Sequence, residues 1–87
     1  MSDMLIMDLA SLSRYEAALE EFKASIQKHC NDLESDINTY GKYMQDAKSQ
    51  KAIKDTQDAC ADVKRCLGHV DNALDMIRNL KAAISNL

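Results

Sequence analysis

The 87-residue chain has no proline and no tryptophan, and its only glycines are Gly41 and Gly68. Tight β-turns draw on glycine and proline, so a many-stranded all-β fold is excluded. Aromatic residues make up 5% of the chain, and its valines and isoleucines are too widely spaced to form strands. Alanine, leucine, lysine, glutamate, aspartate and glutamine are plentiful, and most of them favour helix. The expected fold class is all-α. The length allows one domain, residues 1–87, whose small core is commonly supplemented by oligomerisation or a partner.

Other absences narrow the function. The opening "MSDMLIMDLASL" has no basic n-region and no uninterrupted apolar run. A Sec signal peptide and a membrane span are therefore not expected, and export would need another route. Three cysteines, Cys30, Cys60 and Cys66, do not form the even, regularly spaced set of a disulfide framework. There is no glycine-rich phosphate loop. His29 and His69 have no serine or aspartate partners arranged as a proton relay, and Asp71 and Asp75 read as a solvated face. Cys66-x-x-His69 could offer two metal ligands on one helix face, but His29 and Cys30 lie far from Cys66 in both hairpin registers considered below. No enzyme, metal or cofactor is expected. Lys42, Lys48, Lys51 and Lys54 form a basic patch without interleaved aromatics, which reads as a solvated turn and not as a nucleic-acid site.

Against these absences stands a strong helical periodicity. Apolar residues recur in steps of three and four at Leu9, Leu12, Tyr15, Leu19, Phe22, Ile26, Cys30, Leu33, Ile37 and Tyr40. The double four-step Phe22–Ile26–Cys30 is a stutter in the heptad. Asp8 is a candidate N-cap, with Ser13-x-x-Glu16 a rival capping box one turn later. In the second half Ile53, Thr56, Cys60, Val63, Leu67, Val70, Leu74 and Ile77 alternate threes and fours without error, and Ile84 continues the series. Such heptads point to coiled-coil-like packing.

Charge and numbering both favour a hairpin over a straight rod. Residues 1–40 carry three basic and eight acidic side chains, and residues 41–87 carry eight basic and six acidic. The two halves attract each other when folded together. In an antiparallel pair, facing core residues have numbers with a constant sum. Leu9 with Leu80, Leu12 with Ile77, Tyr15 with Leu74, Leu19 with Val70, Phe22 with Leu67, Ile26 with Val63 and Leu33 with Thr56 share one sum. Cys30 with Cys60 and Ile37 with Ile53 exceed it by one, and Leu5 pairs with Ile84 on the same rule. This register puts the turn near residues 44–46. A shift of one heptad would centre it on Gly41, where glycine tolerates positive φ. The expectation is helix 1 over about 8–40, a turn within 40–49 and helix 2 over about 50–86. Each helix would be about 50–60 Å long at 1.5 Å per residue. The expected hairpin core is Leu12, Tyr15, Leu19, Phe22, Ile26, Cys30, Leu33, Cys60, Val63, Leu67, Val70, Leu74 and Ile77. Buried free thiols are expected at Cys30 and Cys60, although a disulfide between them is geometrically conceivable.

A second stripe accompanies the core. Ala52, Ala59, Cys66, Ala73, Leu80 and Leu87 recur every seven residues, one position before the main series. Alanine at a core boundary is also simply a good helix former. The functional reading is a partner-binding face that completes a four-helix bundle by homo- or heterodimerisation. Ala10, Ala17 and Ala24 form a weaker copy on the first helix. Gly68 in mid-helix would be explained by close approach of a neighbouring helix.

Ile6-Met7-Asp8 followed by Leu12, and Tyr40-Gly41 at the turn, resemble features of the type VII secretion small helical hairpins, the Trp-x-Gly or early-secreted-antigen-like family. Their pattern is a short hydrophobic pair, a capping residue, a leucine four positions on, and Trp-x-Gly at a mid-chain turn. The resemblance implies a homodimeric or heterodimeric four-helix bundle, with Tyr40 and Gly41 shaping the turn. The chain departs from the pattern in having no Trp and no Tyr-x-x-x-Asp/Glu export motif after Tyr43. It is similar in this to the small helical partner proteins of polymorphic toxins with an N-terminal Leu-x-Gly helical domain, and export would then rest on the partner. The resemblance implies a binding partner or targeting factor that is made in the cytoplasm and associated with secretion. The alternative is a cytosolic coiled-coil adaptor or chaperone subunit with no export role.

Overall fold

A good N-cap accepts a hydrogen bond from a backbone N–H that the first helical turn leaves without a partner. Asp8 does this in the computed structural model, which describes residues 8–86: its carboxylate accepts from the Ser11 N–H at 2.7 Å. Helix α1 then runs Leu9–Tyr40. Ser13 and Glu16 lie inside it, so the rival capping box is not used. Asp46 repeats the device, accepting from the Ser49 N–H at 3.0 Å, and starts helix α2, Ala47–Ser85. In both caps the hydrogen bonds from the serine hold the carboxyl below the ordinary aspartate range.

Between the helices the chain reverses through a short 3₁₀ turn, Gly41–Tyr43, followed by Met44 and Gln45. Gln45 and Gln50 donate side-chain hydrogen bonds to the Lys42 and Met44 carbonyls and stitch the reversal. Gly41 does not use positive φ, since it sits at φ −59° as the right-handed continuation of α1. The turn therefore follows Gly41 and is not centred on it.

The two helices pack antiparallel into a plank of 62 × 20 × 16 Å. Burial runs along one seam. Leu12, Cys30, Cys60, Leu67, Leu74 and Ile77 are buried. Leu19, Ile26, Ile37, Ile53, Thr56, Val63, Val70 and Ile84 are half-buried beside them. Cys30 lies against Cys60, which selects the first register over the one shifted by a heptad.

Three expected core residues are not in the core. Tyr15, Phe22 and Leu33 are 57%, 53% and 46% exposed. The cause is geometric. On α1 the half-buried places beside the seam go to positions four residues after its residues, Glu16, Lys23 and Glu34, and not to those three after. Tyr15, Phe22 and Leu33 each stand three residues after a seam residue (Leu12, Leu19 and Cys30), and that rotation carries them off the seam onto its edge.

Candidate partner-binding face

The seam divides the hairpin into two unlike sides. One side is set by positions four residues after the seam. On α1 these are Glu16, Lys23 and Glu34, and on α2 they are Lys64, Asp71 and Arg78. They meet across the helices: Lys64 reaches Glu34 at 2.6 Å, Lys23 reaches Asp71 at 2.5 Å, and Arg78 holds Glu16 and Glu20 at 2.9 Å each. Lys81 adds a 2.6 Å contact to Glu16. Hydrogen bonds from Lys81 and then Arg78 hold the Glu16 carboxyl below its ordinary range, and the Glu34 hydrogen bond raises the Lys64 ammonium above its own. Opposite charges from the acidic and basic halves thus close this side.

The other side is open and apolar. It is formed on α1 by Tyr15, Phe22, Leu33 and Tyr40, the last 57% exposed and three residues after Ile37. On α2 it is bordered by Ala52, Ala59, Cys66 and Ala73, each one residue before a seam position, and by Leu80 one heptad on. Two shallow grooves show that these rows share a side. One, of about 280 Å³, joins Leu33 and Tyr40 to Ala52 and Ile53, with Met44 at its end. The next, of about 350 Å³, joins Cys30 and Leu33 to Ala59, Cys60 and Val63. Phe22, eleven residues or about three turns before Leu33, and Tyr15, a heptad before Phe22, continue the same side on α1, and heptad recurrence extends it to Cys66, Ala73 and Leu80 on α2. Ala73 is half-buried; Ala52, Ala59, Cys66 and Leu80 are exposed. Large residues thus line the α1 edge and mostly small ones the α2 edge. Leu87 of the expected stripe, and Leu5, Ile6 and Met7 of the expected pairing and opening motif, lie outside the described residues.

The spacing of the α2 stripe predicts a place on this face, whereas the large apolar row of α1 is a finding of the structure. Its signal was present in the spacing, because each of Tyr15, Phe22, Leu33 and Tyr40 follows a seam residue by three and precedes a charged or small residue by one. The turn residues behave differently from one another. Tyr40 belongs to the open face, whereas Gly41 is half-buried against Ile37 and Ile53.

The remaining chemistry-bearing groups do not converge. Lys51 and Lys54 of the basic patch are paired one turn on with Asp55 and Asp58, and Lys42 lies over the Tyr43 ring. Among the described residues no three or more His, Cys, Asp or Glu side chains gather as a metal site would require. Among the same residues no helix is long and apolar enough to cross a membrane. What the geometry offers is an exposed apolar row beside small residues on one side of the hairpin. No family model, curated protein or solved structure matches the chain, so the meaning of that surface rests on its residues alone.

Proposed function

We propose that the protein is a helical binding partner, whose open side packs against a second helical hairpin to complete a four-helix bundle, and that it serves type VII secretion by pairing with and targeting a secreted helical protein or toxin. The observation that carries the reading is the one-sided exposure of Tyr15, Phe22, Leu33 and Tyr40 beside the small row of α2. A run of large apolar side chains along one helix side, bordered by alanines that admit another backbone closely, is what a helical partner covers. The opposite side, latched by ion pairs, has no such surface. Asp8 capping α1 four residues before Leu12, and Tyr40-Gly41 closing it, support the secretion-associated reading. The partner is a second copy or the N-terminal helical region of a larger chain.

The reading is tested by affinity capture from the native host with the wild-type chain and with Phe22→Lys and Ala59→Arg. Both positions are exposed, so the variants keep the helical circular dichroism of the parent. A helical partner recovered with the wild type and lost by at least tenfold with either variant supports the face. Equal recovery with all three chains overturns it. Association with a secreted chain, and loss of that chain's export when this protein is deleted, separates the secretion role from that of a cytosolic adaptor.

A further inference from the structure

Cys30 and Cys60 occupy facing seam positions of α1 and α2 and are only 6% and 3% exposed. They line the same groove, and burial, followed by the neighbouring Cys30 thiol, pushes the Cys60 thiol up. Helix axes about 8–10 Å apart, with Cα atoms about 2.3 Å from each axis, bring directly facing Cα atoms to roughly 3.4–5.4 Å. That overlaps the range of about 4.4–6.8 Å that a disulfide spans. The pair also borders the groove of about 350 Å³ on the open side, so an oxidant has a path to it. Cys66 is exposed on the same side but lies six residues from Cys60, about 9 Å along α2.

We propose that Cys30 and Cys60 are a redox site that forms a reversible disulfide between α1 and α2, with small-molecule disulfides of the glutathione class as the oxidant. The thiolate of one cysteine attacks a sulfur of the oxidant and expels one thiolate, leaving a mixed disulfide. The second cysteine, deprotonated, attacks the protein-bound sulfur and expels the second thiolate. The protein loses two protons and two electrons; the oxidant gains them and leaves as two thiols. The bond ties together two elements separated in sequence by the turn, so it restricts the unfolded chain far more than a link within one helix would. The raised Cys60 thiol makes the reaction slow at neutral pH and faster as pH rises. A partner seated on the open side covers the groove and slows it further.

The test uses the full chain carrying Cys66→Ser, which removes the exposed competing thiol at a surface position. The chain is incubated with oxidised glutathione at pH 8.5, trapped with iodoacetamide and digested with trypsin. The expected product is a monomer in which peptide 29–42 is linked to peptide 55–64, two hydrogens lighter than the reduced pair. Its thermal midpoint is expected to rise by roughly 10 °C or more, and dithiothreitol is expected to reverse the rise. Two separately glutathionylated peptides, alkylated thiols throughout, or a link found only between chains would each overturn the proposal.

Discussion

Replacing Leu12 or Leu74 by alanine removes a buried leucine from a seam that has few buried residues to share the loss. Each change is expected to lower stability by about 2–4 kcal/mol, measured as a fall in the urea midpoint. Phe22→Ala is expected to change the isolated chain by no more than about 0.5 kcal/mol, because the ring is half in solvent already. Sequence pattern alone ranks Leu12 and Phe22 together as core. It cannot separate them, because the heptad marks which residues are apolar along a stripe and not how many neighbouring helices cover that stripe. The residues read most securely were those on the centre line, such as Leu67 and Cys60, and those misread were on its α1 edge. Ionisable groups at this scale set a pH window. Asp8, Glu16, Asp32 and Asp46 all have folded pKa values below their ordinary 3.8–4.5. Their contribution is therefore complete above those ordinary values and is lost as pH falls through the lower folded ones. The thermal midpoint is expected to be level from about pH 7 to 5 and to drop below about pH 4; a midpoint that rises on acidification would contradict these pairings. Lys28, Lys54, Lys64 and Arg78 are shifted up, so their contribution is lost only in strong alkali, as pH rises through the raised values.

Each helix is bounded by its own chemistry. Asp46 is the element-scale counterpart of Asp8, and Asp46→Ala is expected to fray the first turn of α2 and lower the thermal midpoint by several degrees, with loss of amide protection at Ser49 and Gln50. Gly68 tests a different idea. The sequence suggests that a neighbouring helix passes close to it, yet a Cβ built at Gly68 meets nothing within 4 Å in the hairpin. Gly68→Ala is therefore expected to stabilise the isolated chain by roughly 0.5–1 kcal/mol, the ordinary gain of alanine over glycine within a helix. At Gly41 a Cβ would meet Ile53 and Ile37 at 3.6 and 3.7 Å, ordinary contact, and no positive φ stands in its way. The bounds of α1 and the register were legible because the Asp8 cap and a constant-sum pairing are local or arithmetic signals, whereas α2 starts at Ala47, ahead of the expected residue 50, because Asp46 caps it there. The shape of the reversal was not, because Gln45 and Gln50 build it through side-chain bonds to carbonyls that no short motif announces. The ion pairs follow the register with an offset: their partners lie further along both helices than the seam pairs do. Side chains on each helix lean toward its N-terminus, and in an antiparallel pair both leans add in the same sense.

At the scale of the whole molecule the plank has a radius of gyration of 19.4 Å and a long dimension of 62 Å. A partner hairpin that docks on the open side adds thickness and not length. Small-angle scattering of the proposed complex is expected to show the mass of two hairpins with a maximum dimension close to that of one. A doubled dimension would mean end-to-end association and would remove the open side from the interface. The sequence foretold a plank of this length, since helix rise and turn position fix it. It could not foretell which side stays bare, because that depends on how charge from two distant segments meets across the seam.

The reversal after Gly41 also decides how the protein responds to force. Asp8 and Ser85 begin and end the helices at one end of the plank, with Tyr43 at the other. Tension between the two chain ends pulls the helices apart one seam layer at a time, like opening a zip, and only one layer bears the load at any moment. Tension between one chain end and the tip near Tyr43 instead slides one helix along the other, so that every layer and ion pair resists together. The same hairpin is thus mechanically weak along one loading path and strong along another, and the redox state of Cys30 and Cys60 fixes how far the weak path can open before it stops.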